Sequence, residues 1–480
     1  MVNAGAMNIL LVTAELSPWV RSTEAAETVA ALAKTFRQLG NEVTVIAPHA
    51  PGYEAAGQLV ARRLTPLTLD GDRDLAVFDS QLGSGARLVL LGLPVAVNGS
   101  SANGGGITSE VLEAAWLFAQ GVAALVGERA AEGRGFDVVH CQDFSAGLVP
   151  LVLERFGESR PRVVMSVSDA RLAGLVEGST NGDGIGSDPR LFEGSSRSLL
   201  KPGILAADAV ILPSETYAAA VKDPGIGGPL AACFGEIEPK IFGIFGGIDY
   251  ARVNPATDPS LVSRYDAEDA SAKSSSKAAL LVERNWSLDG RPLLLVPGPL
   301  TLAAGADLVA AALSRLLPSP LCVLALSQGS DEPAVRAAFA AIAEQHPDQL
   351  ALVDGSNPEI LHRGFAAADL VLIASRYEPG GWRQLFAQRY GAAPIAHAVG
   401  GLVDSIVDAD TKLQTGTGFL FDEASPEAVL AAIQRAVAGY VLPEWEAFRR
   451  RMMRLDLNWD RPARRLLQVY RQGGEPGPAA

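Results

Sequence analysis

The sequence predicts an α/β protein built from two doubly wound domains in tandem, their parallel sheets facing a central cleft. Three observations carry that prediction. Short β-branched apolar runs recur between longer amphipathic stretches, which is the pattern of doubly buried parallel strands joined by crossover helices. The pattern breaks down near the middle of the chain and then starts again. Finally, 480 residues exceed what one hydrophobic core ordinarily serves, so two domains of roughly 200 residues each are expected.

In the first half the strand runs are "NILLVTA" from Asn8, "EVTVIAP" from Glu42, "RLVLLGLPV" from Arg87, "DVVHCQD" from Asp137, "RVVMSVS" from Arg162 and "AVILPS" from Ala209. Between the first two, "AAETVAALAKTFRQLG" from Ala25 has helical periodicity and suits a crossover. The second half repeats the plan with "PLLLVPG" from Pro292, "LCVLALS" from Leu321, "LALVDGS" from Leu350, "DLVLIAS" from Asp369 and "APIAHA" from Ala393. After Asp249, Asp, Ser and Lys displace the apolar pattern, which predicts domains over 1–250 and 251–450. There "AKSSSK" from Ala272 reads as a solvated loop or helix start. Residues 451–480 are predicted to form a C-terminal helix and a frayed tail, "GGEPGPAA", and the basic run "RRRMMR" from Arg449 reads as a solvated helix face.

Composition narrows the function. Apolar residues make up 48% and charged residues 20%, which suits a globular protein with a large core. A formal net charge of −14 lacks the positive field of a polyanion binder, so nucleic acid is excluded as an expected partner. Cys141, Cys233 and Cys322 are scattered without a CxxC pair, and the histidines form no HExxH, so neither a metal site nor a disulfide framework is expected. The N-terminus lacks a basic n-region and no window holds about 18 uninterrupted apolar residues, so a cytoplasmic protein without membrane association is expected. His140 follows a buried strand and reads as a satisfied core histidine.

Ligands of doubly wound sheets lie beyond the carboxyl ends of the strands. There the segment "SRYEPGGWRQLFAQRYG" begins at Ser375, directly after an apolar run. Gly380 and Gly381 would let a phosphate or hydroxyl approach the main chain, and Glu378 could accept hydrogen bonds from a sugar. A dinucleotide oxidoreductase is disfavoured, because "TAELSPWVRSTEAAE" after the first strand contains no glycine.

Several further segments, in order, resemble bacterial glycogen synthases and plant starch synthases. They are "MNILLVTAELSPWVR", "FDVVHCQDFSAGLVPLVL", "SLLKPGILAADAVILPSETYA", "GIDYARVNPATDP", "SRYEPGGWRQLFAQRYGAAPI", "VGGLVDSIVD", "TGFLF" and "LDLNWD", together covering about Met7 to Tyr470. The resemblance implies a GT-B fold of two Rossmann-like domains, acceptor-side and then nucleotide-sugar donor-side, with the C-terminal helix crossing back to the first. It implies retaining transfer of glucose from ADP-glucose or UDP-glucose to an α-1,4-glucan, with no cofactor and no metal. Glu378 then matches the acid that faces the hexose, with Gly380, Gly381 and Arg376 on the donor side. Asp143 matches the aspartate near the sugar on the other side, and Arg21 keeps the charge of a loop that contacts donor and acceptor.

Other positions depart from the family pattern. The family's Ser-Arg-Leu-Thr-x-Gln-Lys-Gly, whose Arg and Lys grip the donor pyrophosphate, is here "GPLTLAAG", with Pro299 for the arginine and Ala304 for the lysine. Ser168 stands where a histidine meets the sugar, Asp169 where an asparagine follows, and Thr23 and Glu24 replace both glycines of the Lys-x-Gly-Gly loop. Gly380 replaces a cysteine, Ser145 a histidine and Gly246 an asparagine, and "AHAVGGL" holds only His397 where two arginines are usual. Two lost cations at a departing diphosphate would cost roughly 10⁴-fold in rate. Arg171, Arg197, Lys201, Arg376 and Arg383 are the cations that could substitute. The expectation is therefore a degenerate site: a weak or inactive homologue that binds glucan or nucleotide and attends an authentic glycogen synthase. The alternative is a working glucosyltransferase with altered donor or acceptor use, and a third possibility is a polysaccharide-binding module without nucleotide affinity.

Overall fold

The computed structural model describes residues 5–19, 24–69, 73–97, 107–176, 188–287 and 289–472. The chain forms two compact units, one of residues 1–246 with 459–480 and the other of residues 247–458. Each has its own sheet and its own core.

Among the described residues, the sheet of the first unit runs in the order Ile241–Gly243, Ala209–Leu212, Arg162–Ser166, Val138–Gln142, Asn8–Val12, Glu42–Pro48, Arg87–Leu91, Val77–Gln81, Ala61–Arg62. All neighbours are parallel except the last two pairings, which form an antiparallel edge. The central strands read as apolar runs because helices cover both faces; Ile9, Leu10, Val138 and Val164 are fully buried. Strand order reverses between Asn8–Val12 and Val138–Gln142, so Asp143 follows directly at the switch point of this sheet.

Two helices show how this core is closed. The apolar helix Ser109–Ala131 packs so closely that a Cβ at Gly121 would lie 2.6 Å from Leu91 Cδ1. The helix Asp460–Arg471 belongs to this unit and inserts Ala463, Leu466, Leu467, Val469 and Tyr470 into the core beside Phe36. His140 pins it: Nδ1 lies 2.6 Å from Tyr470 Oη and Nε2 lies 2.6 Å from Ser166 Oγ. Burial lowers the His140 pKa to about 4, so it is a neutral core residue with both ring nitrogens engaged. Where the family has an asparagine, Gly246 leaves a Cβ position only 3.0 Å from the Trp459 ring.

The second unit holds a fully parallel sheet in the order Leu350–Asp354, Cys322–Ser327, Leu293–Val296, Leu370–Ile373, Ala393–His397, Phe419–Phe421. Its switch point lies between Leu293–Val296 and Leu370–Ile373. The loops that leave those two strands are "PGPLTLAAG" and "ASRYEPGG".

Two readings of the sequence change here. "AKSSSK" does open a helix, Lys273–Glu283, but Lys273 is buried, with Nζ donating to the carbonyls of Ala366 at 2.8 Å and Tyr390 at 2.9 Å. Burial pushes its pKa well below the usual lysine range. Arg449 is not on a solvated face either. It is buried, 3.2 Å from Asp369 Oδ1, while Lys277 Nζ donates to Asp369 Oδ2 at 2.6 Å. A polar pattern cannot reveal such a knot, because a buried carboxylate shared by two cations looks in sequence like any surface charge. Cys141, Cys233 and Cys322 are all buried free thiols.

Candidate active site

In the second unit the loop Ser375–Gly381 is assembled from short backbone contacts. Ser375 Oγ donates to Glu378 Oε2 at 3.0 Å and so orients the carboxylate. From behind, His397 Nδ1 lies 2.8 Å from the Ser375 carbonyl oxygen. The Gly401 N–H donates to the carbonyls of Glu378 and Pro379 at 3.1 Å each. Gly381 has φ of +86°, a left-handed conformation that favours glycine. A Cβ at Gly400 would lie 2.0 Å from the Glu378 oxygen, and one at Gly401 would lie 1.9 Å from the Gly380 oxygen. Gln384, fully buried, donates to the Gly381 carbonyl at 3.2 Å and ties the loop to Ser405 at 3.0 Å. Glu378, Gly380 and Gly381 are thus brought together as one rigid turn.

The neighbouring loop completes this side of the site. Gly305 lets it approach, since a Cβ there would lie 1.9 Å from the Ala374 oxygen, and the Arg376 N–H donates to the Ala303 carbonyl at 2.9 Å. Between the two loops lies a small cavity lined by Pro299, Ala304, Ser375 and Arg383 among others. It sits at the switch point of the sheet, where an anionic ligand group belongs. Arg376 does not face it as a free cation: its guanidinium is held bidentate on Asp307 at 2.6 and 2.7 Å and also on the Leu302 carbonyl. These mutual hydrogen bonds raise the Arg376 pKa and lower that of Asp307. Arg383 stacks over the Trp382 ring at 4.7 Å, and its Nε is buried without a hydrogen-bond partner.

A larger crevice of about 490 Å³ opens elsewhere in this unit, beside Lys273, Lys277, Tyr440 and Arg449. Its buried cations are already engaged by Asp369, Glu446 and main-chain carbonyls, so it is a structural knot. Among the described residues no group of three or more His, Cys, Asp or Glu could hold a metal ion.

In the first unit Asp143 has φ of +55°, strained for a residue with a side chain, at the end of its strand. Its Oδ1 accepts the Ser168 N–H at 2.7 Å and its Oδ2 accepts the Ser168 hydroxyl at 3.0 Å. Burial raises the Asp143 pKa, against the lowering effect of those Ser168 bonds. Ser168, where the family has a histidine, is therefore the partner that fixes this carboxylate. Two candidate cations of this unit have partners: Lys201 Nζ donates to the Phe192 carbonyl at 2.7 Å and to Glu193 at 2.9 Å, and Arg171 Nε lies 3.5 Å from Asp169. Arg197 is buried over the Phe192 ring. Arg21 and Thr23 lie outside the described residues, as does the Glu24 side chain.

The sequence singles out Glu378 and the two glycines after it as candidates, and the structure places them in one turn. Sequence reasoning missed Ser375, Gln384 and Gly401 as the groups that set them, although the polar and glycine residues bordering apolar runs were a usable signal.

Two doubly wound units, each with loops leaving the switch point of its sheet, have the two-domain architecture of the GT-B glycosyltransferases. The fold agrees closely with the catalytic domain of Starch Synthase IV from Arabidopsis thaliana, solved bound to ADP and acarbose. That match has a TM-score of 0.83 and 23% identity, and it covers 98% of this chain and 99% of that one. Residues 8–235 match the starch synthase catalytic domain, and residues 283–452 match glycosyl transferases group 1. A glycogen synthase of Anaeromyxobacter sp. (strain Fw109-5) is 33% identical over 98% of this chain and 100% of its own length. That of Thioalkalivibrio sulfidiphilus (strain HL-EbGR7) is 31% identical over 97% and 99%. The chain belongs to the glycogen and starch synthase family.

Proposed function

We propose that this protein is a glucosyltransferase that extends an α-1,4-glucan from ADP-glucose or UDP-glucose. The first unit serves the acceptor side and the second the donor side. The observation that carries this reading is the intact loop Ser375–Gly381 at the switch point of the second sheet, in which Ser375 orients Glu378 and Gly400 and Gly401 pack directly against the main chain of the turn that bears it. End-to-end similarity to glycogen synthases supports it, and the ADP and acarbose in the Arabidopsis starch synthase support ADP-glucose as donor and a glucan as acceptor.

A second reading, a glucan- or nucleotide-binding homologue that attends an authentic synthase, is favoured by one observation. Pro299 and Ala304 put no charge on the cavity where the family pattern has two cations. The two readings separate in one assay, in which purified protein is incubated with ADP-glucose or UDP-glucose and glycogen, and nucleoside diphosphate release and chain elongation are followed. The first reading expects release that requires glycogen and falls about 10²-fold or more in Glu378→Gln. Release no greater than that of Glu378→Gln, together with retained glycogen co-sedimentation, would establish the second.

A further inference from the structure

We infer that Arg383 is the residue that binds the diphosphate of the donor, in place of the two cations lost at Pro299 and Ala304. The inference rests on the transfer reading above, and it names the group at that site which neutralises the leaving charge.

Its basis is elimination combined with geometry. Of the five cations that could substitute, Arg376 is closed onto Asp307, Lys201 onto Glu193 and the Phe192 carbonyl, and Arg171 onto Asp169. Arg197 lies buried over Phe192. Arg383 lines the same cavity as Pro299 and Ala304, at the switch point of the donor-side sheet. Among the described residues its guanidinium has no hydrogen-bond or ion-pair partner, and its Nε is buried. A guanidinium whose Nε is buried without a partner is costly to keep, and a phosphate in the cavity that Arg383 lines would supply that partner.

The stack on Trp382 explains how Arg383 can do this from a different position. An aromatic face holds the guanidinium plane while leaving its in-plane N–H donors free, and those donors match the spacing of phosphate oxygens. In the transfer step the bond from the sugar C1 to the diphosphate oxygen breaks, and its electron pair stays on that oxygen. A bond forms from C1 to the acceptor hydroxyl oxygen, and the hydroxyl proton leaves with the diphosphate. Arg383 stabilises the negative charge that builds on the departing oxygens. One such donor is worth on the order of 10²- to 10³-fold, which recovers much of what the missing pair would supply.

The test is calorimetric titration of the full-length protein with ADP and with adenosine, for wild type, Arg383→Ala and Arg383→Lys, with thermal melts to confirm folding. The inference expects Arg383→Ala to weaken ADP binding about 10- to 100-fold while adenosine binding changes less than about twofold, with Arg383→Lys in between. A purely structural role in packing Trp382 would shift both ligands equally. Equal ADP affinity in wild type and Arg383→Ala, or in wild type no preference for ADP over adenosine, overturns the inference. Arg383-dependent ADP binding without any glucose transfer would uphold it and remove the transfer reading instead.

Discussion

Gly401→Ala tests whether the loop around Glu378 needs its present geometry. An added Cβ would sit 1.9 Å from the Gly380 oxygen and 2.6 Å from the Gly380 carbonyl carbon. Contact at ordinary van der Waals separation needs about 3.5 Å, so roughly 1.5 Å of relief must be found. Both opposing atoms are main chain, so no side chain can swing away; either the Glu378–Gly381 turn or the start of the helix Gly401–Ser405 must move. That motion breaks the hydrogen bonds from the Gly401 N–H to Glu378 and Pro379, the contacts that fix the carboxylate-bearing turn. A displacement of about 1 Å at a reacting centre costs on the order of 10²-fold in rate, whereas overpacking of this kind costs about 1–3 kcal/mol in stability. The φ of Gly401 lies outside the left-handed region, so the substitution probes space alone. Nucleoside diphosphate release gives kcat/KM, and urea unfolding gives stability. Gly329→Ala, with nothing within 4 Å of its added Cβ, is the control. Wild-type kcat/KM in Gly401→Ala would refute the claim that this turn sets the position of Glu378.

Two predictions concern buried charge. Asp369 holds Lys277, Arg449 and the Leu293 N–H while itself buried, so Asp369→Asn should cost about 3–5 kcal/mol in urea unfolding. Glu268→Gln, which loses only the exposed pair with Arg454, should leave the unfolding midpoint unmoved. If both variants unfold alike, the knot is not stabilising. His140 has a depressed pKa of about 4 against an ordinary value of 6.5, so below pH 6.5 the unfolded chain takes up a proton that the folded one refuses. Stability from this group is therefore present above that value and lost as pH falls toward 4, by roughly 3 kcal/mol in all. Urea unfolding of wild type and His140→Gln across this range should show their difference shrinking by that amount; parallel curves would show that His140 does not titrate in this way.

The sequence determined the α/β class, the strand runs and the position of the candidate loop Ser375–Gly381, because each of these is written locally. Doubly buried strand segments such as "ILLV" from Ile9 and "LVLI" from Leu370 must be continuously apolar, and a turn that brings main chain to a ligand must be glycine-rich, as Gly380 and Gly381 are. It also revealed that Pro299 and Ala304 carry no charge. Only the tertiary structure decided which of the remaining cations already have an anion partner, because that depends on what folds against each of them. Arg376 and Arg383 stand seven positions apart in one segment and look alike there, yet Asp307, distant along the chain, closes the first, while the second stacks on Trp382 beside the cavity. The same holds for Lys273, Arg449 and Asp143. Their neighbours are brought in by the crossings of the sheets, and burial and pairing, which set the energy of a charge, are properties of those neighbours.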